Sequence, residues 1–145
     1  MKQTIFIFFL LATLIACKKD ESEVLTTSLS YKYKGVTYSC NDMEVKLNTF
    51  SGTNQIVATK GTQILNLYFP STSVGEIIIK IPNSGELIEG AANSYATTQG
   101  GTGTINISRN DTTALVGTFS FMAKHTHSAN NTFAEVTEGK FTILQ

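Results

Sequence analysis

Apolar and polar residues alternate along most of the chain from Leu29 onward, and clusters of Gly, Asn, Asp, Ser and Pro interrupt the alternation at short intervals. A repeat of two places successive side chains on opposite faces, which is the pattern of β-strands with one buried face. No stretch of this region carries the repeat of about 3.6 residues that marks an amphipathic helix. The pattern therefore predicts a single all-β domain over residues 29–145.

The first two strands form the clearest hairpin. The alternating segments 29–33 and 36–40 flank Lys34-Gly35, and a two-residue turn that contains glycine is typical of a β-hairpin. In that register the residues that face each other on one side are Leu29 with Cys40, Tyr31 with Tyr38, and Tyr33 with Val36. Cys40 is therefore predicted to be a small core residue rather than a reactive thiol.

The remaining strands follow at the spacing of a meander. Segments 63–69 and 76–81 are dense in apolar residues, so we expect both to be central strands, with Pro70 and Pro82 ending their pairing. Residues 83–99 give a weak pattern, in which Leu87-Ile88 indicates a short strand. The other predicted strands are 43–50, 55–59, 102–109, 115–124 and 134–145, with Glu138-Gly139 as a candidate break in the last.

About eight to ten short antiparallel strands in one domain predict a β-sandwich or a calycin-like β-barrel. The alternation does not distinguish the two, because both bury one face of each strand. On the strand at 115–124, for example, Phe119 and Phe121 share one face and Thr118 and Ser120 share the other.

The composition narrows the classes of partner. Lys and Arg number 11, as do Asp and Glu, so the chain offers no basic field that would attract nucleic acid. Charged residues make up only 15% of the chain, and Thr, Ser, Asn and Gly fill the polar positions, as in extracytoplasmic β-proteins. No nucleophile-elbow, zinc-protease or phosphate-loop pattern is present, so we expect neither an enzyme nor a bound cofactor.

The beginning of the chain predicts a lipoprotein leader. Residues 5–16 form an apolar run of signal-peptide length that is too short to span a bilayer. Leu14-Ile15-Ala16-Cys17 resembles a bacterial lipobox, in which signal peptidase cuts before the cysteine and lipid is attached to its sulfur. We therefore expect residues 1–16 to be a signal peptide and Cys17 to be lipidated. The alternative is a secreted protein that is cleaved nearby and has no use for Cys17.

Residues 17–28 then comprise the lipidated cysteine and a flexible tether, whose reach is on the order of 20 Å. Cys17-Lys18-Lys19-Asp20-Glu21 resembles the export signal of surface-exposed lipoproteins in Bacteroidota. The expected location is the outer membrane, where the bilayer is the partner of acylated Cys17 and the domain is a candidate for exposure at the cell surface. With Cys17 lipidated, Cys40 has no partner for an intramolecular disulfide.

Three further residues are candidates for chemistry. His125 and His127 alternate, so a continuing strand would point both imidazoles to one side, where they would hold a zinc or copper ion. The chain has no other histidine to complete such a site, and solvent-exposed loop histidines are the alternative. Asp111-Thr112-Thr113 resembles the O-glycosylation acceptor of exported Bacteroidota proteins, with Thr112 modified; the alternative is a plain Asx turn.

Several segments together resemble a family of small Bacteroidota lipoproteins built on an all-β domain of unknown function. Besides the leader and the early hairpin, the resemblance rests on segments 101–107, 116–121 and 138–142, and it covers nearly the whole chain. It implies an all-β lipoprotein and no particular activity. The glycines and phenylalanines of these segments are of the kind that serve turns and cores.

Two functions remain open. The first is a surface-exposed binding or structural module that contacts an envelope protein or a glycan through loops and a Thr/Asn-rich sheet face. The second is a β-barrel carrier of a small hydrophobic ligand. The first predicts a filled core around Phe119 and Phe121, and the second predicts an open cavity there. An enzyme would require Glu86, Glu89 and one histidine to converge in one pocket.

Overall fold

A computed structural model describes residues 24–127 and 131–145. These residues form eleven strands and a short 3-10 helix at Thr97–Gln99. The strands are β1 (Ser28–Tyr33), β2 (Val36–Cys40), β3 (Val45–Phe50), β4 (Thr53–Lys60), β5 (Gln63–Pro70), β6 (Gly75–Ile78), β7 (Ser84–Glu89), β8 (Asn93–Ala96), β9 (Thr102–Asn110), β10 (Ala114–His125) and β11 (Phe133–Leu144).

The strands join one antiparallel sheet that curls into a nearly closed barrel. Its main order is β2-β1-β11-β10-β8-β7-β5-β4-β3, while β9 branches from β10 and β6 pairs with the other side of β9. The branch forms because β10 is long: β9 pairs with it up to Met122, and β8 pairs with it at Lys124 and His125. The predicted antiparallel all-β fold is confirmed, with eleven strands where eight to ten were expected.

The first hairpin has the predicted register. Leu29 pairs with Cys40, and the Lys34-Gly35 turn adopts the positive φ angles of +49° and +78° that such a tight turn requires. Cys40 is only 4% exposed, so its predicted place in the core is confirmed.

A stack of phenylalanine rings forms the centre of the core. The Phe141 ring on β11 lies between Phe69 of β5 and Phe119 of β10, with centroids 6.3 Å away on each side. Phe121 extends the stack, with its centroid 6.4 Å from that of Phe119. All four side chains are buried. Because β5 lies far from β10 and β11 in the sheet order, these rings fill the space enclosed by the curled sheet.

Two strands differ in detail from the expectation: β3 begins later, and β11 contains a bulge. The strand expected from residue 43 begins at Val45, because residues 41–44 form a turn in which the Asn41 amide donates to the Glu44 carboxylate at 2.9 Å. Met43 consequently lies in solvent with 82% of its surface exposed. In the final strand, Glu138 has φ +53° and the register shifts there, so Glu138-Gly139 is a β-bulge and β11 continues through it.

The prediction of a central strand at 76–81 was wrong. This segment contains the short strand β6, which branches at the margin of the sheet and pairs with β9. Ile79 is 1% exposed and Ile77 packs against the core, but Ile78 and Ile81 are 55% and 73% exposed, so only one face of this apolar segment is buried. The companion prediction is confirmed, because β5 lies between β4 and β7. The weakly patterned region 83–99 holds β7, as expected, and also β8, which was not predicted.

Candidate functional site

Cys17 and the predicted leader lie outside the described residues, which begin at Val24. Their roles stay predictions. What the structure describes is the point where the tether meets the domain: the Leu144 amide donates to the Thr27 hydroxyl at 3.1 Å. The chain therefore enters the domain beside the end of β11.

An open groove of about 530 Å³ lies next to this entry point, where the sheet order ends. Lys60 and Glu44 line it, and the ammonium donates to both carboxylate oxygens at 2.7 and 2.9 Å. Cys40 also lines it, but burial raises the pKa of the thiol and the nearby Glu44 charge raises it further. The thiol therefore stays protonated at neutral pH, as expected of a structural rather than a reactive cysteine.

The two histidines occupy the end of β10 and the turn that follows. His125 Nδ1 accepts the backbone amide of His127 at 3.1 Å, and its Nε2 lies 3.5 Å from Asn93 Oδ1. The His125 ring also packs edge-on against Tyr95, with the ring centroids 5.0 Å apart. His127 Nδ1 lies 2.7 Å from the Thr126 hydroxyl. The strand would have to continue to His127 to align both rings, and it ends at His125.

A stable zinc site needs three or four protein ligands. Within residues 24–127 and 131–145, no group of three or more His, Cys, Asp or Glu side chains is placed to hold a metal ion. Metal binding at His125 and His127 therefore stays a prediction without a third ligand in the described part of the chain.

Thr112 lies exposed in the turn between β9 and β10. The turn is organised by Asp111, whose Oδ1 accepts the Thr113 amide at 2.8 Å and the Ala114 amide at 3.1 Å. This is an Asx turn, so the structural alternative to a modification site is present. Glycosylation of Thr112 stays a prediction on a residue that is accessible to an enzyme.

The Arg109 guanidinium beside Asp111, at 2.6 Å, holds the pKa of that carboxyl well below its usual range, and bonds from Thr113 and Ala114 lower the pKa further. The bonds made by the ionised carboxylate are therefore complete above its unfolded pKa and are lost as the pH falls through the folded pKa.

We expect Arg109→Ala to raise the pKa of Asp111 toward the ordinary aspartate range, because it removes the largest cause of the shift. A ¹³C NMR titration of the side-chain carboxyl measures this directly. Lys140→Ala removes a basic residue elsewhere and should leave the titration of Asp111 unchanged. An Asp111 pKa that is the same with and without Arg109 would contradict the expectation.

The acids required for a catalytic pocket lie apart. Glu86 and Glu89 are three residues apart on β7, so their side chains leave opposite faces of the strand. Glu86 accepts a hydrogen bond from Asn66 Nδ2 at 3.3 Å. Glu89 pairs with the Lys34 ammonium at 3.0 Å and accepts a bond from the Tyr33 hydroxyl at 3.3 Å.

A polar row that the sequence analysis missed crosses the outer face of β3, β4 and β5. Asn48 Nδ2 donates to Gln55 Oε1 at 3.3 Å, and Gln55 Nε2 donates to the Tyr68 hydroxyl at 2.9 Å. These three residues, the amide–tyrosine ladder, occupy one register position on adjacent strands. The Asn66–Glu86 pair lies beside the ladder on the same face of the sheet. Asn66 is two residues before Tyr68 on β5, and it pairs in register with Glu86 of β7.

A model for a domain of unknown function, DUF6252, matches residues 26–144. The chain belongs to this family. The matched range runs from just before β1 to the end of β11, so the DUF6252 domain comprises the whole described sheet. No curated protein and no solved structure matches the chain significantly. The expected family is thus confirmed as a domain of unknown function, while Bacteroidota origin and lipoprotein character stay predictions.

In the DUF6252 domain, aromatic rings pack directly against the glycines of segments 116–121 and 138–142. A Cβ placed at Gly117 would lie 2.6 Å from Phe141 Cζ, and one at Gly139 would lie 2.6 Å from Phe119 Cδ2. Such distances are far below van der Waals contact, so only glycine lets these rings lie flat on the sheet. The expectation that these glycines and phenylalanines serve the core is confirmed.

Alternation alone did not reveal the ladder in the DUF6252 domain, because outward polar residues are expected on any half-buried strand. The available signal was the type of residue: Asn48, Gln55 and Tyr68 carry planar or aromatic groups at outward positions of three consecutive strands. Recognising it required the register of β3, β4 and β5.

The described residues of the domain also contain no helix long and apolar enough to cross a membrane.

Proposed function

We propose that this protein is a lipid-anchored lipoprotein of the outer membrane whose DUF6252 domain is a binding or structural module. The observation that carries the proposal is the succession of an apolar leader, Cys17 and a self-contained β-domain. Only residues 18–27 separate Cys17 from β1, so lipid on this cysteine would hold the domain close to the bilayer. More than one acyl chain would make that attachment stable, since a single chain binds only marginally.

The filled core favours a module over a carrier of hydrophobic ligands. A carrier needs an open apolar interior of roughly 300–1,000 Å³. In the described residues, the stacked rings of Phe69, Phe141 and Phe119 occupy that position, and the groove of about 530 Å³ beside Cys40 opens at the surface. A ligand would have to displace these buried rings, and close-packed cores resist such displacement.

We propose a role in binding rather than catalysis, and one that needs no cofactor. Glu86 and Glu89 leave opposite faces of β7, and each is already engaged by a neighbouring side chain. The equal numbers of basic and acidic residues argue against a nucleic-acid partner. The partner that suits this surface is an envelope protein or glycan, and Lys19-Asp20-Glu21 supports display at the outer surface of the cell.

Labelling with radioactive palmitate in the producing bacterium tests the anchor. We expect the wild-type protein to incorporate label and to partition with the outer membrane, whereas Cys17→Ala incorporates none and is lost from that fraction. The reason is that the thiol of Cys17 is the only proposed site of acylation.

The chain offers a matched control in its other cysteine. Cys40→Ala removes a buried thiol and should keep both the label and the outer-membrane location. Label that persists in Cys17→Ala, or that disappears in Cys40→Ala alone, would show that lipid is not attached where we propose.

A further inference from the structure

The amide–tyrosine ladder presents oriented polar groups on the outer face of the sheet. Asn48 is exposed, and Gln55 and Tyr68 are half-buried, so the polar ends of the row meet solvent while their stems are held by neighbours. The two hydrogen bonds along the row fix the orientation of both the Gln55 amide and the Tyr68 hydroxyl. A surface with such fixed groups loses less side-chain entropy when a ligand binds.

The Asn66–Glu86 pair extends this surface on the adjoining strands. The Asn66 side chain is only 8% exposed, and its amide donates a hydrogen bond to the Glu86 carboxylate. The Glu86 side chain is half-buried. Asn66 and Tyr68 share the outer face of β5, and Asn66 pairs in register with Glu86 of β7. Burial raises the pKa of Tyr68, and the nearby Glu86 carboxylate raises it further. Across β3, β4, β5 and β7, three strand spacings of about 4.8 Å make a surface about 14 Å wide.

The ladder retains capacity for further hydrogen bonds. An amide offers two N–H donors and two acceptor sites, and a phenol that accepts a bond keeps its own hydrogen to donate. In the bonds described for Gln55, one N–H and one acceptor site are used, and the Tyr68 hydroxyl acts as acceptor. Donors and acceptors therefore alternate along the row, beside the aromatic ring of Tyr68.

This chemistry distinguishes between classes of ligand. The backbones of β4 and β5 are paired on both sides, so an extended peptide cannot add a strand at Gln55 or Tyr68. Neutral amides and a phenol beside a carboxylate offer little to a polyanion. A neutral sugar chain, in contrast, presents closely spaced hydroxyls that both donate and accept, together with C–H faces that pack on an aromatic ring.

We propose that the amide–tyrosine ladder, together with the Glu86 carboxylate that Asn66 positions, is a binding site for a neutral oligosaccharide. This inference rests on the proposed function, because it names the ligand class of the module held at the membrane. Gln55 bonds on both sides within the row, so it is the residue whose removal would disorder the site most.

Isothermal titration of the full mature protein in detergent micelles, with cellohexaose, xylohexaose, mannohexaose, maltohexaose and chitohexaose as probes, tests the site. We expect at least one probe to bind, and Gln55→Ala to weaken that binding roughly tenfold, since each 1.4 kcal/mol of lost interaction is about a factor of ten. Tyr68→Phe, which keeps the ring and removes only the hydroxyl, should weaken binding by a smaller factor.

Asn106→Ala is the matched control, because Asn106 is an exposed outward amide on β9, in the other part of the sheet. Its titration should equal that of the wild-type protein, and thermal unfolding should confirm that every variant is folded. The inference is overturned if none of the probes binds, or if Gln55→Ala and Asn106→Ala have the same effect. The labelling of Cys17 is read separately, so a failure of sugar binding leaves the anchor intact, and the reverse holds as well.

Discussion

Phe141→Ala is expected to lower the free energy of unfolding by about 3–5 kcal/mol, the usual range for removing a buried phenylalanine. The Phe141 ring is 2% exposed and contacts Phe69 on one side and Phe119 on the other. Its loss would leave a cavity between two parts of the curled sheet that cannot readily collapse. Urea unfolding followed by circular dichroism measures the change through the shift of the transition midpoint.

Because small domains are stable by only about 5–15 kcal/mol, this variant is at risk of unfolding altogether. Phe141→Leu keeps most of the apolar volume and should show an intermediate loss, which keeps the comparison measurable. Phe133→Ala, at a 44% exposed position on the same strand, should change the stability by no more than about 0.5 kcal/mol. Equal losses at Phe133 and Phe141 would contradict the phenylalanine stack as the centre of the core.

Gly117→Ala is expected to destabilise the domain by about 1–3 kcal/mol, although it adds only one methyl group. The new Cβ would lie 2.6 Å from both the Phe141 Cζ and the Asn106 carbonyl oxygen. Gly117 pairs with Ile107 on one side and with Phe141 on the other, so the strand has little freedom to move away. The same urea unfolding experiment reports the loss.

Thr118→Ala is the control for Gly117→Ala, because Thr118 is the next residue on β10 and its side chain points outward. We expect it to be close to neutral. Combining Gly117→Ala with Phe141→Leu should cost less than the sum of the two single changes, since the smaller side chain relieves part of the clash. An unchanged midpoint in Gly117→Ala would show that the ring does not lie against this strand.

The elements that followed from local chemistry were predictable. The Lys34-Gly35 turn sets the register of its hairpin, so the pairing of Leu29 with Cys40 followed directly from the spacing of the chain. The strong alternation of β10 likewise gave its buried and exposed faces. In such segments the sequence pattern and the burial have the same period, and no distant contact is needed to interpret them.

The features that depend on distant contacts were not predictable. Segment 76–81 is as apolar as β5, but its place in the sheet depends on β9, which lies far along the chain. The sequence marked Glu138-Gly139 as a candidate break, but only the registers of β11 with β1 and β10 show that the strand continues there through a bulge. The amide–tyrosine ladder required the registers of three strands at once. For His125 and His127, the end of β10 determined the geometry, and alternation could not locate that end.

Intact-mass spectrometry of the protein purified from the membranes of the producing bacterium tests the anchor most directly. If Cys17 is the lipidated first residue, the measured mass is that of residues 17–145 plus a diacylglycerol group and any additional acyl chain. Fragmentation should place the whole lipid mass on the peptide that contains Cys17, whereas a glycan on Thr112 would add its mass to a different peptide. A mass that corresponds to an unmodified chain, or an N-terminus other than Cys17, would contradict the proposal that lipid on this cysteine holds the DUF6252 domain at the membrane.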